Sequence, residues 1–363
     1  MPSRRTRPRH PTEPLQALTT LTQLITLMTS SVESNDNSTS SDDELGHMLA
    51  PVPDFITLAR DIQNRTNHII GTDLMEARHF REFFGTSLVV VEKVWALLEN
   101  NFLLPDGCSP KHLLWALHFM KVYPKQSVGC STVGAIEGAV DPKTHRKWVW
   151  AFIEAIAEVQ DEVVSTQCLN FFNYNIFSHT TLQPQIVFES RLGSHDLLND
   201  CTMTVDGTDF RIPQKGPSFA SHKYAGKSAV RYELGVDIIA GNLVWSHGPF
   251  PAGLYNDIKI FNLCLRHWLE PGERVEADEG YRGHADKVKG PGNDVSSKNS
   301  EMQGRVRARH ETLNGRLKNW GILNQVFRHD VRLHGMVFGA CAVLTQLTIE
   351  NGEPLFEVEY YDW

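Results

Sequence analysis

The texture of the chain changes once, near residue 201, and that change bounds what it can fold into. Before it, MEARHFREFFG and TSLVVVEKVWALLENN carry apolar side chains three and four residues apart, the period of amphipathic helices, within a helical stretch over 73–163. After it, CTMTVDGTDFRI alternates with period two and runs up to Pro213. VRYELGVDIIAG and NLVWSHGPF meet at Gly241-Asn242 and read as a hairpin. Helical spacing returns through Ile258, Phe261, Leu265 and Trp268, and RVEADEG is a short strand that ends in acids. Residues 283–299 are polar and Gly/Pro-containing, a flexible loop by composition. SEMQGRVRARHETLNGRLKNWGIL reads as a long helix with Ser300 as its cap, and HGMVFGACAVLTQLTI as an apolar final helix. The order is three antiparallel strands, helix, strand, helix: an α/β unit behind an all-helical one.

The 363 residues suit two or three domains. Residues 1–50 are rich in Ser, Thr, Asn, Asp and Pro and are expected to be disordered, because they cannot bury enough apolar surface to offset chain entropy. Leu15, Leu18, Leu21, Ile25 and Met28 recur there at near-helical spacing. Residues 164–200 read as a connector, 201–347 as the α/β domain and 348–363 as an acidic tail. No run of about 18 uncharged apolar residues stands out, so no membrane-spanning helix and no membrane partner are expected. The basic start MPSRRTRPRHPTEP leads into Thr-rich sequence, which is too polar for a secretory signal. Six scattered cysteines without a CxxC pair read as free thiols, not as a disulfide framework or a zinc site.

The net charge of −8 argues against a nucleic-acid partner, but its distribution weakens the objection. Residues 31–44 and 350–363 each hold five acids and no base, whereas 201–335 holds 19 Lys and Arg against 15 Asp and Glu. Ser109-Pro110 looks like an N-cap followed by proline at the first helical position. A turn at Asp141-Pro142 then precedes a basic helix start with Lys143, His145, Arg146 and Lys147. Two short helices, a turn and a basic third start match a helix-turn-helix, whose recognition helix touches DNA near its N-terminus. A plain helical bundle with a solvated charged end fits the same pattern.

Three acids stand out by placement. Asp206 lies mid-strand in TVDGTDF, Asp278 ends the fourth strand in VEADEGY, and Glu311 lies inside the long helix in ARHETLNGR. Any one of the chain's 43 acids is by default a surface carboxylate, so the set is the signal. A mid-strand acid lowers stability unless it has a use or a partner. If the first and fourth strands are neighbours, the two Asp carboxylates face each other, and a helix on the sheet can bring a Glu to the same point. Such carboxylates repel and raise each other's pKa, and Mg²⁺ or Mn²⁺ relieves them. Two ions roughly 3.5–4 Å apart would stabilise the attacking and leaving oxygens of a phosphoryl displacement. By strand period Asp209 points away from Asp206, and Glu279 is set beside Asp278 in the same way, so both are expected at the surface or behind the ligands.

TVDGTDFRI, GLYNDIKIF, VEADEGYRG and RHETLNGRLKNWGIL, in that order, resemble the DDE endonuclease domain of Harbinger-type transposases over residues 201–347. The resemblance implies a ribonuclease-H-like fold, a mixed sheet flanked by helices, with Asp206, Asp278 and Glu311 as the catalytic, metal-binding triad. It implies two divalent ions, Mg²⁺ or Mn²⁺, and places Asp257 at an accessory acidic position. The interval from Asp278 to Glu311 is short for the family, and the proline many relatives carry near DEGY is missing. The implied activity is metal-dependent cutting of DNA at element ends and joining of 3′-hydroxyls to target DNA. A domesticated, non-cutting DNA-binding or scaffold protein of the same fold is the alternative. A ribonuclease-H-like nuclease without transposition is a third.

Arg305, Arg307, Arg309, Arg316 and Lys318 surround Glu311 and are expected to hold double-stranded DNA, with strongly salt-dependent affinity. A solvated helix face is the plain alternative. Lys215, Lys223, Lys227 and Arg231, after the first strand, are candidates for a second phosphate-contacting surface patch, and Trp320 could stack on a base or pack in the core. Relatives often work with a separate Myb-like DNA-binding partner and as homo-oligomers. RRTRPR near the start is a candidate import signal, which in a eukaryotic chain points to the nucleus.

Overall fold

A five-stranded mixed sheet in the order β3-β2-β1-β4-β5 organises the computed structural model of this chain. The structure describes residues 52–65, 73–134, 137–164, 201–238, 240–269, 271–290 and 297–356. The expected disordered head, its Leu15–Met28 pattern, the import signal and nearly all of the 164–200 connector lie outside these residues. β1 (Cys201–Arg211), β2 (Ala229–Asp237) and β3 (Leu243–Pro251) form an antiparallel meander. β4 (Arg274–Ala277) then joins β1 in parallel, with Val205 opposite Ala277. The first and fourth strands are therefore neighbours, which meets the condition set for Asp206 and Asp278 to approach. A short β5 (Val288–Lys289) pairs with β4 inside the stretch expected to be a flexible loop. The hairpin at Gly241-Asn242 is longer than two residues: Asp237 N–H reaches Asn242 O at 2.9 Å, and Gly241 takes φ of 77° to turn the chain.

Helices cover both sides of the sheet. Among the described residues, the helices before it open with α1 (Phe55–Ile62), α2 (Asp73–Phe84), α3 (Leu88–Asn100), α4 (Pro110–Val122) and α5 (Gln126–Val133). They are followed by α6 (Pro142–Glu158) and α7 (Gln160–Val163). Ser109 opens α4 in a capping box with His112, with Pro110 as the first helical residue. α4 buries every residue from His112 to Met120, as a helix enclosed on all sides does. After β3 come α8 (Asp257–Leu263), α9 (Leu265–Trp268), α10 (Ser297–Lys318), α11 (Gly321–Asn324) and α12 (His334–Glu350). α10 begins at Ser297, so Ser300 lies inside the helix and not at its cap.

The helical region and the sheet share one core, which corrects the expected division into separate helical and α/β domains. Phe84, Leu98, Trp115, Phe152 and Ile156 from the helices join Phe210, Tyr232, Leu234 and Val236 from the sheet and Val337–Leu344 from α12 in a single apolar cluster. α12 lies along α6 and closes this layer. It belongs to a stretch, Val331–Glu350, long and apolar enough to cross a bilayer, but 72% of that window is buried in the body, which makes it a core helix. The opposite face of the sheet packs Met203, Val205, Trp245 and Val275 onto Phe261, Leu265 and Tyr281. The expected acidic tail is also corrected at its start: Ile349 and Leu355 are buried, and Glu353 pairs with Arg81 of α2 at 2.6 Å.

The helix-turn-helix expectation meets a plain difference in length. Residues 134–141 separate α5 from α6, against the three or four of such a turn. α6 spends most of its surface on the core, through His145, Trp148, Val149, Phe152, Ile153, Ala155 and Ile156. Its N-terminus, capped by Asp141, leaves Lys143, Arg146 and Lys147 exposed. Arg146 donates to Gln126 of α5 at 3.2 Å, and Lys147 stands 4.2 Å over the Trp148 ring.

Candidate acidic site at the edge of two parallel strands

The site forms where β4 stops and β1 continues. β4 ends at Ala277 opposite Val205, so Asp206 and Asp278 are the next residues on two adjacent parallel strands. β1 runs on to Arg211 without a β4 partner, which leaves a notch at this edge. Asp206 is partly buried on the side of the sheet facing α10. Its carboxylate accepts from Gly207 N at 2.7 Å and from Asn314 Nδ2 of α10 at 3.3 Å. Asp278 is exposed and caps a following turn by accepting from Gly280 N at 2.7 Å.

Asp257 reaches the same notch from the opposite face. It is the first residue of α8, and its carboxylate lies directly against two glycines. A Cβ at Gly207 would stand 1.9 Å from Asp257 Oδ1, and one at Gly280 would stand 3.1 Å from Oδ2 and 2.9 Å from Asp278 Oδ1. At Gly207 the missing Cβ is what permits this approach. Burial raises the Asp206 carboxyl above its usual range and Asp278 adds to the rise, while Lys223 and the two hydrogen bonds oppose it. Burial likewise raises Asp257; Arg231 and Lys223 oppose that shift, and Asp206 and Asp278 add to it. The three aspartates therefore repel one another in a partly dehydrated place.

Asp257 is held by a buried pair behind it. Arg231 on β2 grips Asp209 on β1 with Nε at 2.6 Å and Nη2 at 3.1 Å, and its Nη1 stands 3.2 Å from Asp257 Oδ1. Asp209 also accepts from Ser221 at 2.5 Å. Asp209 is thus fully buried behind the site, and Arg231 is an internal clamp and not a surface contact for phosphate. Glu279 is exposed and pairs with Arg282 at 2.7 Å.

Glu311 stands on α10 between two residues that touch β1. His310 meets Thr204 at 3.1 Å and Asn314 meets Asp206. Glu311 itself is exposed on the helix, and its charge acts on both His310 and Lys318. Among the described residues, no three His, Cys, Asp or Glu side chains are drawn together into a set that could hold an ion. The donor chemistry nevertheless suits a hard divalent cation: all the acids are oxygen donors, and two are raised in pKa by burial and mutual repulsion.

The expected DNA-contacting bases divide. Arg305 is exposed and Arg307 half-buried at the outer part of α10. Lys318 is half-buried beside the site; burial lowers its pKa, Lys223 lowers it further, and Glu311, Asp209 and Asp206 oppose. Arg309 corrects the expectation: it is 2% exposed, and its guanidinium donates to the carbonyls of Asp237 and Ile238 in the β2–β3 turn. Arg316 is likewise occupied, donating to the carbonyls of Glu353 and Pro354. The two do share a face, as their seven-residue spacing implies, but that face holds the fold together. Trp320 is a core residue and bonds Thr345 at 3.2 Å.

Asn314 and the Asp209–Arg231 pair were not singled out as site residues by sequence. Asn314 carried a usable signal, because it lies three residues after Glu311 and so projects from nearly the same side of the helix. No protein-family model, curated protein or solved structure matches the chain. Fold and site together define an α/β protein with a five-stranded mixed sheet flanked by helices and an acidic notch at the β1–β4 edge.

Proposed function

We propose that this protein is a DDE-type, divalent-metal-dependent DNA endonuclease and strand-transferase on a ribonuclease-H-like fold. The observation that carries the reading is the adjacency of Asp206 and Asp278 on parallel strands, with α10 bringing Asn314 onto Asp206. The sheet order, with an antiparallel meander of three strands and a fourth parallel to the first, supports the fold assignment.

In this reading Asp206, Asp278 and Glu311 would hold two Mg²⁺ or Mn²⁺ ions, with Asp257 accessory. Bound ions would supply charge stabilisation for the attacking and leaving oxygens of an in-line displacement. Water first attacks a phosphodiester and releases a 3′-hydroxyl; that hydroxyl then attacks target DNA and displaces a second alkoxide. The chain's own contribution is placement. Asn314 orients Asp206, and Arg231 fixes Asp257. Lys318, Arg305 and Arg307 offer positive charge to the strand, with Lys143, Arg146 and Lys147 as a separate basic end on α6. Double-stranded DNA is the substrate, met by a homo-oligomer that brings two ends together and, by the family resemblance, by a Myb-like partner in the nucleus.

A non-cutting DNA-binding or scaffold protein is the second reading. It is favoured by the exposure of Glu311 and by the lack of a closed ligand set among the described residues. Cleavage of labelled duplex DNA with Mg²⁺, Mn²⁺ or EDTA decides between them, with Asp206→Ala and Glu311→Ala alongside. Metal-dependent cutting lost in both variants is the expected result. DNA binding without cutting under either metal, at any duplex end or hairpin tested, favours the second reading.

A further inference from the structure

Lys223 is the leading positive charge acting on Asp206, and it stands second only to Arg231 on Asp257. It belongs to the loop between β1 and β2, within a single 3-10 turn (His222–Tyr224). Two neighbours fasten that turn across β1. Ser221 donates to Asp209 Oδ2 at 2.5 Å, and the Tyr224 hydroxyl donates to Asp209 O at 3.0 Å. Between them the Lys223 ammonium donates to Gly207 O at 2.5 Å. Gly207 lies just past the last β1–β4 pair, so the ammonium is seated in the notch where β4 has ended. The rest of the lysine residue is exposed, so the stem is able to swing outward while the turn stays fastened.

A flexible point charge on a four-carbon stem can leave such a seat in a way that the buried, bidentate Arg231 cannot. The carboxylates of the notch repel, and a divalent cation relieves them more strongly than one ammonium does. We propose that Lys223 is the resident counter-cation of the acidic notch, bound to Gly207 O when no ion is present, and that it competes with a divalent ion for Asp206 and Asp257. The proposal rests on the reading of the notch as an ion site and adds an internal competitor to it. Ion entry sends the ammonium outward from a place where its charge already acts on Lys318.

The test is a calorimetric titration of the full chain with Mn²⁺, with thermal unfolding measured on the same samples. Wild type, Lys223→Met, Lys223→Arg and Asp206→Asn are compared. Lys223→Met should bind Mn²⁺ about tenfold more tightly or better, because one opposing unit charge is gone. Its ion-free melting temperature should fall, and Mn²⁺ should raise it by more than in wild type. Lys223→Arg should stay close to wild type, and Asp206→Asn should bind more weakly. Equal Mn²⁺ affinity in wild type and Lys223→Met overturns the competitor role while leaving the ion site standing. No binding in either overturns both. Lys223→Gln serves as a second neutral variant if the methionine variant fails to fold.

Discussion

Asn314 Nδ2 lies 3.3 Å from Asp206 Oδ2, which ties the C-terminal part of α10 to a mid-strand acid 108 residues earlier. This bond marks where the helix carrying Glu311 meets the notch. Asp206 is raised in pKa by burial first and by Asp278 among the further causes, so ionising it opposes folding. A carboxyl raised in the folded state contributes stability that is full below its unfolded pKa and is lost as pH rises through its folded pKa. Asp206→Asn is therefore expected to stabilise the ion-free protein at pH 7 by about 1 kcal/mol, with a melting temperature a few degrees higher. The gain should disappear below about pH 4, where both states carry a protonated carboxyl. Thermal melts across pH check this, and a lower melting temperature at pH 7 contradicts it.

Arg309 and its neighbours Arg305 and Arg307 should separate cleanly. Arg309 is enclosed and satisfies two backbone carbonyls of the β2–β3 turn. Arg309→Ala should destabilise the fold by about 2–4 kcal/mol, since it empties a buried site and removes charged hydrogen bonds to the Asp237 and Ile238 carbonyls. Arg305→Ala and Arg307→Ala should leave melting nearly unchanged. They should instead weaken DNA binding and lower the salt slope by about one each. Fluorescence anisotropy at several salt concentrations, with melts in parallel, makes the comparison. Unchanged DNA affinity in both outer variants removes this face from the DNA path.

Two glycines in the quoted motifs have opposite expectations. A methyl at Gly207 would meet the Asp257 carboxylate at 1.9 Å, whereas one at Gly315 on α10 meets nothing within 4 Å. Gly207→Ala should destabilise by about 1–3 kcal/mol as an overpacked site, and displace Asp257 from the notch. Gly315→Ala should stabilise by up to about 1 kcal/mol through helix propensity alone. Denaturant unfolding of the two variants gives the sign of each.

His310 sets an acid limit on α10. It is 2% exposed, and burial pushes its pKa down to about 4 from 6.5. A depressed histidine contributes stability present above its unfolded pKa and lost as pH falls through its folded value. The window is thus pH 6.5 down to about 4. Its share is about 3 kcal/mol, taken at roughly 1.36 kcal/mol per pH unit. His310→Gln, which keeps a polar group for Thr204 but does not titrate, should flatten the stability profile across that window. An unchanged slope places the acid sensitivity elsewhere, with His334, whose pKa is also driven down by burial, as the next residue to replace.

The strands that carry Asp206 and Asp278 were legible in sequence because they rest on local features, while their pairing stood only as a condition. Alternation marks β1, acids end β4, and a meander followed by a helix allows β4 to return beside β1. The direction of bases on α10 was not legible. Arg309 and Arg316 share a face by spacing, but whether that face turns inward depends on the β2–β3 turn and on residues 353–354, which are remote in sequence. Asp209 was rightly set on the other side of the strand from Asp206. Its partner Arg231 was misread as surface charge, because nothing in the run VRYELGVD announces that its arginine side chain is buried. The one-core arrangement was hidden for a similar reason: the polar connector suggested a boundary, while the apolar faces of α4, α6 and α12 needed the sheet to cover them.

In the proposed function, carboxylates from β1, from the residue that follows β4 and from α10 form one ion site. Mn²⁺ binding followed by electron paramagnetic resonance tests it most directly, with wild type, Asp206→Asn, Asp278→Asn and Glu311→Gln compared at equal folded fraction. The expected result is saturable Mn²⁺ binding in wild type that each of the three substitutions weakens by about tenfold or more, as loss of a charged ligand should. Binding that is unchanged in Glu311→Gln while Asp206→Asn and Asp278→Asn lose it would contradict the claim and reduce the site to the two strand acids.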